Sequence, residues 1–470
     1  EDEASMIEEI VKDISNKLLI MQPVDFSDIV GMDAHMERLS PLLSMDSESE
    51  VRMIGIWGMG GIGKTTIAKC LFDQLSQGFS ARCFLQNVSK IYRKGGVSYL
   101  TEKFLSTTLG LSKKKMKGSG VKLGPQEIKA RFGCRKVFVV LDNVDDMRQM
   151  HAFAQESSWF GPGSRIIITT RDKGLLNTYG VRTVYEVKCM DTGAGLQLFN
   201  QLAFEGRLPP SELYEKLSIR ASWLAQGLPA AIEAYGLFFR RMASLKEWDD
   251  ALCRFLRAPD ENVMEIVKVS YNGLEEADKN VFLHVACLFN GEPLQRATTL
   301  LDDGELQGCL GLKILADKSL IEITAGGYIK MHNLVDQTAR AIVNQESVQR
   351  SHERGVLWDP YKIYELLEHD SEPTKCMALH MCDMVLPLHL GGHSNYKDTL
   401  KFLKIYKHSD HIKSKLHFST DDANLLSSKL RLLHWETFPL TTFPCRFHPQ
   451  DLVEVILHRS NLTSFWKETV

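Results

Sequence analysis

The first rhythm along the chain is helical. Ile7, Ile10, Val11, Ile14 and Leu18 recur at the spacing of one helix face over residues 5–19. Ser5 and Glu8 form an S-x-x-E capping box at its start, and Pro23 closes it. A helix this short needs a surface to pack on, which predicts a linker or the tail of a preceding domain. From about residue 51 the rhythm changes to short runs rich in Val and Ile: Val51–Trp57, Arg82–Val88, Lys136–Leu141, Ser164–Thr169 and Thr183–Val187. Each is bounded by Gly or turn residues and apolar on both faces, as buried parallel strands are. Helical stretches lie between them, so the pattern predicts an α/β domain with a doubly wound parallel sheet. Lys113-Lys114-Lys115-Met116-Lys117, followed by Gly-Ser-Gly, reads as an exposed loop.

From about 191 to 345 the pattern is mostly helical, punctuated by Pro209-Pro210, Pro229, Pro259 and Pro293. Near its end, Ser319–Thr324, Gly326-Gly327 and Tyr328–Met331 predict a small β-hairpin after helices, as in a winged helix. Further on, Leu430, Leu433, Trp435, Leu440 and Phe443 are matched 22 residues later by Leu452, Val455, Leu457, Leu462 and Phe465. That period falls in the range of leucine-rich repeats, and Leu400, Leu403 and Ile405 read as a degenerate earlier copy. A solenoid needs about three or more repeats and a cap, so the array is expected to be truncated.

Length adds that 470 residues suffice for about three or four domains. Lys and Arg number 56 and Asp and Glu 59, so no overall charge draws the chain to nucleic acid or anionic membrane. No apolar run approaches the roughly 18–20 residues of a membrane span. The start, Glu1-Asp2-Glu3, lacks Met and any signal-peptide pattern, and predicts a cut inside a longer protein. Ten scattered cysteines without a C-x-x-C pair read as buried reduced thiols of a cytoplasmic or nuclear protein. Ten of the fifteen histidines lie between His369 and His458. His389 and His393 have no clustered co-ligands and read as surface residues rather than a metal pair.

The chemistry concentrates in Gly58-Met59-Gly60-Gly61-Ile62-Gly63-Lys64-Thr65-Thr66, which fits G-x-x-x-x-G-K-[ST] between a predicted strand and a predicted helix. Glycines let successive backbone N–H groups face a phosphate, and the helix N-terminus adds positive potential. Lys64 supplies a cation for β- and γ-phosphates and Thr65 a hydroxyl for Mg²⁺. The strand Lys136–Leu141 ends in Asp142, placed to hold the Mg²⁺ shell. Asn143 follows where many hydrolytic relatives of this loop carry a second carboxylate. Its amide cannot act as a general base, though it could orient a water. Ile166–Arg171 ends in Thr-Thr-Arg, where Arg171 can meet a γ-phosphate; an ordinary surface arginine is the competing reading.

Together these stretches resemble the NB-ARC switch of plant TIR-type NLR immune receptors, followed by the first leucine-rich repeats. The landmarks are Asp28–Met32, Gly58–Thr66, Phe79–Val88, Leu141–Asp146, Gly163–Arg171, Gly227-Leu228-Pro229-Ala230 (resembling G-L-P-L), Val281–Asn290 and Met331-His332-Asn333-Leu334 (resembling M-H-D). The resemblance implies a P-loop NTPase fold, then an all-α domain, a winged helix and the start of an α/β leucine-rich solenoid. Its pieces would be a linker at 1–24 after a TIR domain, the nucleotide domain at 25–190, a helical domain at 191–258, a winged helix at 259–350, and connector with first repeats at 351–470. It implies ADP in a closed resting form and ATP with Mg²⁺ in an open, oligomerising one. Ile29 and Val30 would contact adenine, Gly60–Thr66 the phosphates and Pro229 the base or sugar. His332 would reach the β-phosphate and latch the domains.

Three departures qualify this: Asn143 for the second acid, Ala230 for Leu, and Asn333 for the Asp of M-H-D. They imply at most a slow ATPase and a loosened resting state. Any NAD hydrolysis would reside in the TIR domain. The implied partners are the remaining TIR and leucine-rich domains, a pathogen effector or guarded host protein, and a second copy or paired receptor. A transcription-regulating signal-transduction ATPase is the alternative, but the helix at about 333–344 carries Arg340 as its only cation. A metabolic kinase would need an acceptor site and base that the sequence does not display.

Overall fold

The computed structural model describes residues 29–109, 125–153, 159–304, 306–349, 354–363, 374–381, 388–389, 399–407, 416–417, 426–444 and 447–465. The predicted helix at 5–19 and the lysine-rich loop at 113–117 lie outside them. The chain divides into two units: Glu1–Arg254 with Asp317–Ser319, and Phe255–Ala316 with Leu320–Val470.

The first unit is built on five parallel strands, β1 (Arg52–Trp57), β2 (Ala81–Leu85), β3 (Val137–Val144), β4 (Arg165–Thr170) and β5 (Thr183–Glu186), in the order β2-β3-β4-β1-β5. Each lies on a predicted run. β3 continues three residues past the predicted end through a register irregularity between Leu141 and Val144. Alternate residues of β3 and β4 are buried on both faces, which is why these runs show no polar alternation. Helices follow the strands: α1 (Met32–Leu43) precedes β1, and α2 (Lys64–Leu75) and α3 (Val88–Leu109) flank β2. α3 breaks at Gly96, whose φ of 64° and ψ of −157° only glycine adopts readily. Phe104 packs edge-to-face on Phe132 and Phe153, with centroids 5.6 and 5.3 Å apart. Such a pair adds about 0.5–1.5 kcal/mol beyond burial alone.

Of the buried charged residues Lys64, Asp142, Arg165 and Asp278, Arg165 is the least exposed. Arg165 opens β4 at 1% exposure. Its guanidinium donates to the carbonyls of Leu43 (2.6 Å), Ser47 (2.9 Å), Glu50 (3.1 Å), Gly163 (2.9 Å) and Ser164 (3.0 Å), and also to that of Ser44. It thereby ties the end of α1 and the loop after it to the sheet.

The helical part of this unit begins with α4 (Thr192–Ala203), α5 (Glu212–Leu224) and α6 (Pro229–Phe239), followed by a helix at Leu245–Arg257. Trp248, 1% exposed, gathers them: it stacks on Phe204 at 5.7 Å and lies 4.7 Å from Phe239. Gly236 lets α6 approach α4, since a Cβ there would come within 2.8 Å of Leu202.

The second unit contains the predicted hairpin, β6 (Glu322–Ile323) antiparallel to β7 (Ile329–Lys330), followed by α7 (Asn333–Gln349). The apolar helix expected at Val281–Asn290 is there, but Val285–Phe289 forms a π-helical turn. Beyond it runs a parallel ladder of β8 (Arg354–Leu357), β9 (Thr374–His380), β10 (Phe402–Tyr406), β11 (Leu432–Trp435) and β12 (Glu454–Ile456), in reverse chain order from the edge. The register of the last pair, Leu432 with Glu454, reproduces the 22-residue spacing of the repeat. Leu403 and Ile405 stand opposite Leu433 and Trp435, as the degenerate copy requires. β8 and β9 were not visible in the pattern; β9 reads Thr-Lys-Cys-Met-Ala-Leu-His, poor in β-branched residues. Arg296 joins the helical part to the ladder by pairing with Glu292 at 2.6 Å and Glu454 at 2.8 Å.

The cysteine reading needs correction. Cys70, Cys83, Cys287 and Cys376 are buried free thiols, whereas Cys134, Cys189, Cys253 and Cys309 are exposed. Scattered single cysteines carry no burial signal of their own. Among the described residues, no helix is long and apolar enough to cross a membrane, and no His/Cys/Asp/Glu group is arranged to hold a metal.

Candidate nucleotide-binding site

β1 delivers the chain into a loop of Gly58, Met59, Gly60, Gly61, Ile62 and Gly63, and α2 begins at Lys64. Gly63 caps the helix with φ 98°, a left-handed conformation that costs a side-chain-bearing residue strain. Ile62 is buried and anchors the loop, while Thr65 and Thr66 are exposed in the first turn of α2. The loop thus presents a helix N-terminus with its unpaired N–H groups.

Lys64 is 8% exposed and folds back on the loop, donating from Nζ to the carbonyls of Gly58 at 2.6 Å and Met59 at 2.8 Å. Burial, with repulsion from Arg171, lowers its pKa to about 7, against an opposing pull from Asp142. Arg171 is therefore close enough to act on Lys64 electrostatically. Burial also lowers the pKa of Arg171, partly offset by Asp145. Its backbone carbonyl accepts from Trp57 Nε1 at 3.2 Å, which pins the end of β4 to the end of β1.

Asp142 lies at the end of β3, buried, among three donors. Its Oδ1 accepts from Thr65 Oγ1 at 2.7 Å and Thr169 Oγ1 at 2.8 Å; its Oδ2 accepts from the Asn87 backbone N–H at 3.3 Å. Asn143 takes φ 58°, and its amide donates to Asn87 Oδ1 at 3.0 Å. That turns the side chain toward the β2 end and commits one of its two amide N–H donors. Asp145 accepts from Ser89 at 2.5 Å, Arg93 at 2.8 Å and Gln149 at 2.6 Å.

The opposite wall is fastened by backbone contacts. Pro229 is the first residue of α6, and the next N–H, that of Ala230, donates to Gly61 O at 3.1 Å. Because the backbone makes this contact, Ala230 replaces Leu without losing it. Gly227, at φ 74°, accepts from Met190 N–H at 2.8 Å, and a Cβ there would stand 2.2 Å from Met190 O. The Met190 side chain reaches Gly31, just after half-buried Ile29 and Val30. The structure thus brings the loop, Lys64, Thr65, Asp142, Arg171 and Pro229 together. Met190 is an addition that no motif marked, while Asn87 and Thr169 lie inside marked stretches that gave them no role of their own.

His332 belongs to the second unit and caps α7: its Nδ1 accepts from Leu334 N–H at 3.2 Å. That acceptor role puts the ring proton on Nε2 in the neutral form. Asn333 is the first helical residue. A carboxylate there would meet the positive helix end, so Asn333→Asp is expected to stabilise this unit by about 0.3–1 kcal/mol. Urea unfolding followed by near-ultraviolet circular dichroism measures it, and a destabilised variant would contradict the assignment.

Comparison with known proteins agrees with this geometry. Residues 32–209 match the NB-ARC domain. Residues 275–347 match the winged-helix domain described as "Disease resistance protein Roq1-like". Over 479 aligned residues the chain is 34% identical to disease resistance protein TAO1 of Arabidopsis thaliana, covering 99% of this chain and 39% of that protein. It is likewise 34% identical over 482 residues to disease resistance protein RPS6 of the same plant, covering 99% of this chain and 42% of the relative. The chain contains an NB-ARC domain followed by a winged-helix domain of the kind described in plant disease resistance proteins. It spans less than half the length of these relatives. Similarity to solved structures is low: the Walker-type ATPase paby2304 of Pyrococcus abyssi gives a TM-score of 0.47 at 13% identity, over 68% of this chain and 99% of that one. The parallel sheet with its loop and helix is the nucleotide-binding part of the NB-ARC domain.

Proposed function

We propose that this chain is the ADP/ATP-dependent switch of a plant disease resistance receptor acting in the cytoplasm or nucleus. The observation that carries the reading is the convergence of Lys64, Thr65, Asp142 and Arg171 on the mouth of the β1–α2 loop. The residues fit the ligand: exposed N–H groups and two cations suit a polyphosphate, and the Thr65 hydroxyl with the Asp142 carboxylate forms a hard-oxygen pair suited to Mg²⁺. Bound Mg²⁺ would supply charge neutralisation between phosphates. Lys64 would exchange its two carbonyl partners for phosphate oxygens. Arg171 would distinguish a γ-phosphate from its absence, and Ile29, Val30 and Pro229 would hold the base and sugar.

In this reading His332, with its Nε2 proton, latches the resting form onto ADP, and exchange for ATP favours opening and assembly with further copies or a paired receptor. A pathogen effector or guarded host protein would bias that exchange, and the parallel ladder is read as the start of a leucine-rich solenoid. Hydrolysis is at most slow, since Asn143 offers no base and its amide is engaged by Asn87. A DNA-reading winged helix is disfavoured by Arg340. It is paired with Asp336 at 2.9 Å, donates to Ala286 O at 3.2 Å and lies over Trp358. The single cation of α7 is thereby committed inside its own unit.

The test is to denature the purified chain and separate the released small molecules by ion-pair chromatography. Near-stoichiometric ADP is expected. Recovery of no adenine nucleotide, with none taken up on incubation, would defeat the resting-state reading.

A further inference from the structure

We infer that Asn87 and Asn143 form an amide clasp that orients the Asp142 carboxylate, which makes both asparagines positioning residues of the nucleotide site. The inference rests on the nucleotide reading above and adds to it a device that lies outside the Gly58–Thr66 loop. Two non-glycine residues at the ends of neighbouring strands adopt left-handed backbone conformations, Asn87 at φ 56° and Asn143 at φ 58°. Left-handed single residues cost free energy, and asparagine is among the side chains that tolerate them best. The two are bonded to one another, Asn143 Nδ2 donating to Asn87 Oδ1 at 3.0 Å. Each backbone N–H also bonds the carboxylate or its hydroxyl partner. The Asn87 backbone N–H donates to Asp142 Oδ2 at 3.3 Å, and the Asn143 backbone N–H donates to Thr169 Oγ1 at 2.8 Å. Thr169 in turn donates to Asp142 Oδ1 at 2.8 Å. Asn87 Oδ1 accepts a second bond, from Lys90 N–H at 3.3 Å, so the clasp is anchored in the first turn of α3.

The left-handed turn at each asparagine is thus what points an N–H at the carboxylate or at its hydroxyl partner. Asp142 is 3% exposed, so its orientation is set by these donors rather than by water. A group that would help hold a divalent cation works only in one orientation, and partners that hold such a ligand typically contribute about 10–100-fold to cation affinity. The clasp also explains position 143. An amide can donate to Asn87 Oδ1, whereas a carboxylate there would face an acceptor unless the Asn87 amide turned over.

The experiment uses Asn87→Gly, Asn143→Gly and the double variant, because glycine keeps the left-handed backbone and its N–H while deleting the amide. ATP affinity is measured with Mg²⁺ and with EDTA, alongside the unfolding temperature. Wild type is expected to bind ATP more tightly with Mg²⁺. Each single variant is expected to keep its EDTA affinity within about twofold and to lose roughly tenfold of the Mg²⁺ enhancement. The double variant should lose no more than either single one, because the two amides make one bond. A Mg²⁺ enhancement equal to wild type in both single variants overturns the inference. So does a parallel loss of affinity in both media, which a merely structural role would produce. ATP binding by wild type with no Mg²⁺ enhancement also overturns it and leaves the nucleotide reading standing. Absence of ATP binding by wild type in either medium overturns the nucleotide reading itself.

Discussion

Lys64→Ala is expected to weaken ADP and ATP binding by a hundredfold or more. The loss corresponds to about 3 kcal/mol or more, the size of two charge-assisted hydrogen bonds. The structure adds a proton to this expectation. Lys64 is buried against two carbonyls beside Arg171, and its pKa falls from 10.5 to about 7. A phosphate adds negative charge at the ammonium and raises that pKa in the complex. Binding above pH 7 therefore takes up a proton, and affinity falls by up to about tenfold per pH unit there. Titration calorimetry at pH 8 in buffers of different ionisation enthalpy should register uptake approaching one proton in wild type. Equal ADP affinity in Lys64→Ala, or no proton uptake in wild type, would refute this. The ligand-free fold carries the opposite signature. Between about pH 7 and 10.5 the unfolded chain holds a proton that the folded one has released. The burial penalty is present in full below pH 7 and is relieved as pH rises.

Arg165→Leu should be the most damaging single change away from the nucleotide loop. Its guanidinium is the common partner of six backbone carbonyls, on three segments of the first unit. Leucine fills part of the volume and removes this donor from all six, although Ser44 O and Ser164 O keep bonds from the Ser47 and Arg52 N–H groups. An unpaired buried acceptor costs about 1–3 kcal/mol, so even partial rearrangement leaves about 3 kcal/mol or more. For a unit of this size that lowers the unfolding temperature by roughly 10 °C. Arg165→Lys should recover only part of the loss, since one ammonium cannot span a planar fork. Calorimetric unfolding of both variants decides it, and a shift under about 2 °C for Arg165→Leu would show that the loop anchors itself.

The features legible in the sequence were those with a local signature. Five Val- and Ile-rich runs gave five strands, and the loop, Asp142 and Arg171 lie where motif spacing put them. The features that escaped depend on partners far apart in the chain. Asn143 stands out only as a missing acid and Asn87 not at all, until the β2–β3 register, with Leu85 opposite Leu141, lets the two amides meet just beyond it. Arg165 looks like a surface arginine because nothing in a sequence records six carbonyls turned inward. Met190 acquires its place from Gly31 and Gly227, on either side of it. β9 was hidden by composition, and the capping role of His332 by its resemblance to a ligand.

The order of strands in the first sheet bears on how the protein is made. β1, which carries the chain into the nucleotide loop, does not pair with β2, the next strand to be synthesised. It pairs with β4 and β5, Arg52 lying opposite Arg165 and Ile54 opposite Thr183. A growing chain therefore finishes its whole phosphate loop long before either neighbour of β1 exists. Until Thr183 leaves the ribosome, an apolar strand waits at the hinge of an unassembled sheet. Closing so long a segment is slow, and a waiting strand is prone to associate with other chains. Nucleotide has no assembled pocket to bind while the chain is still short, so it can stabilise this domain only near the end of the domain's synthesis.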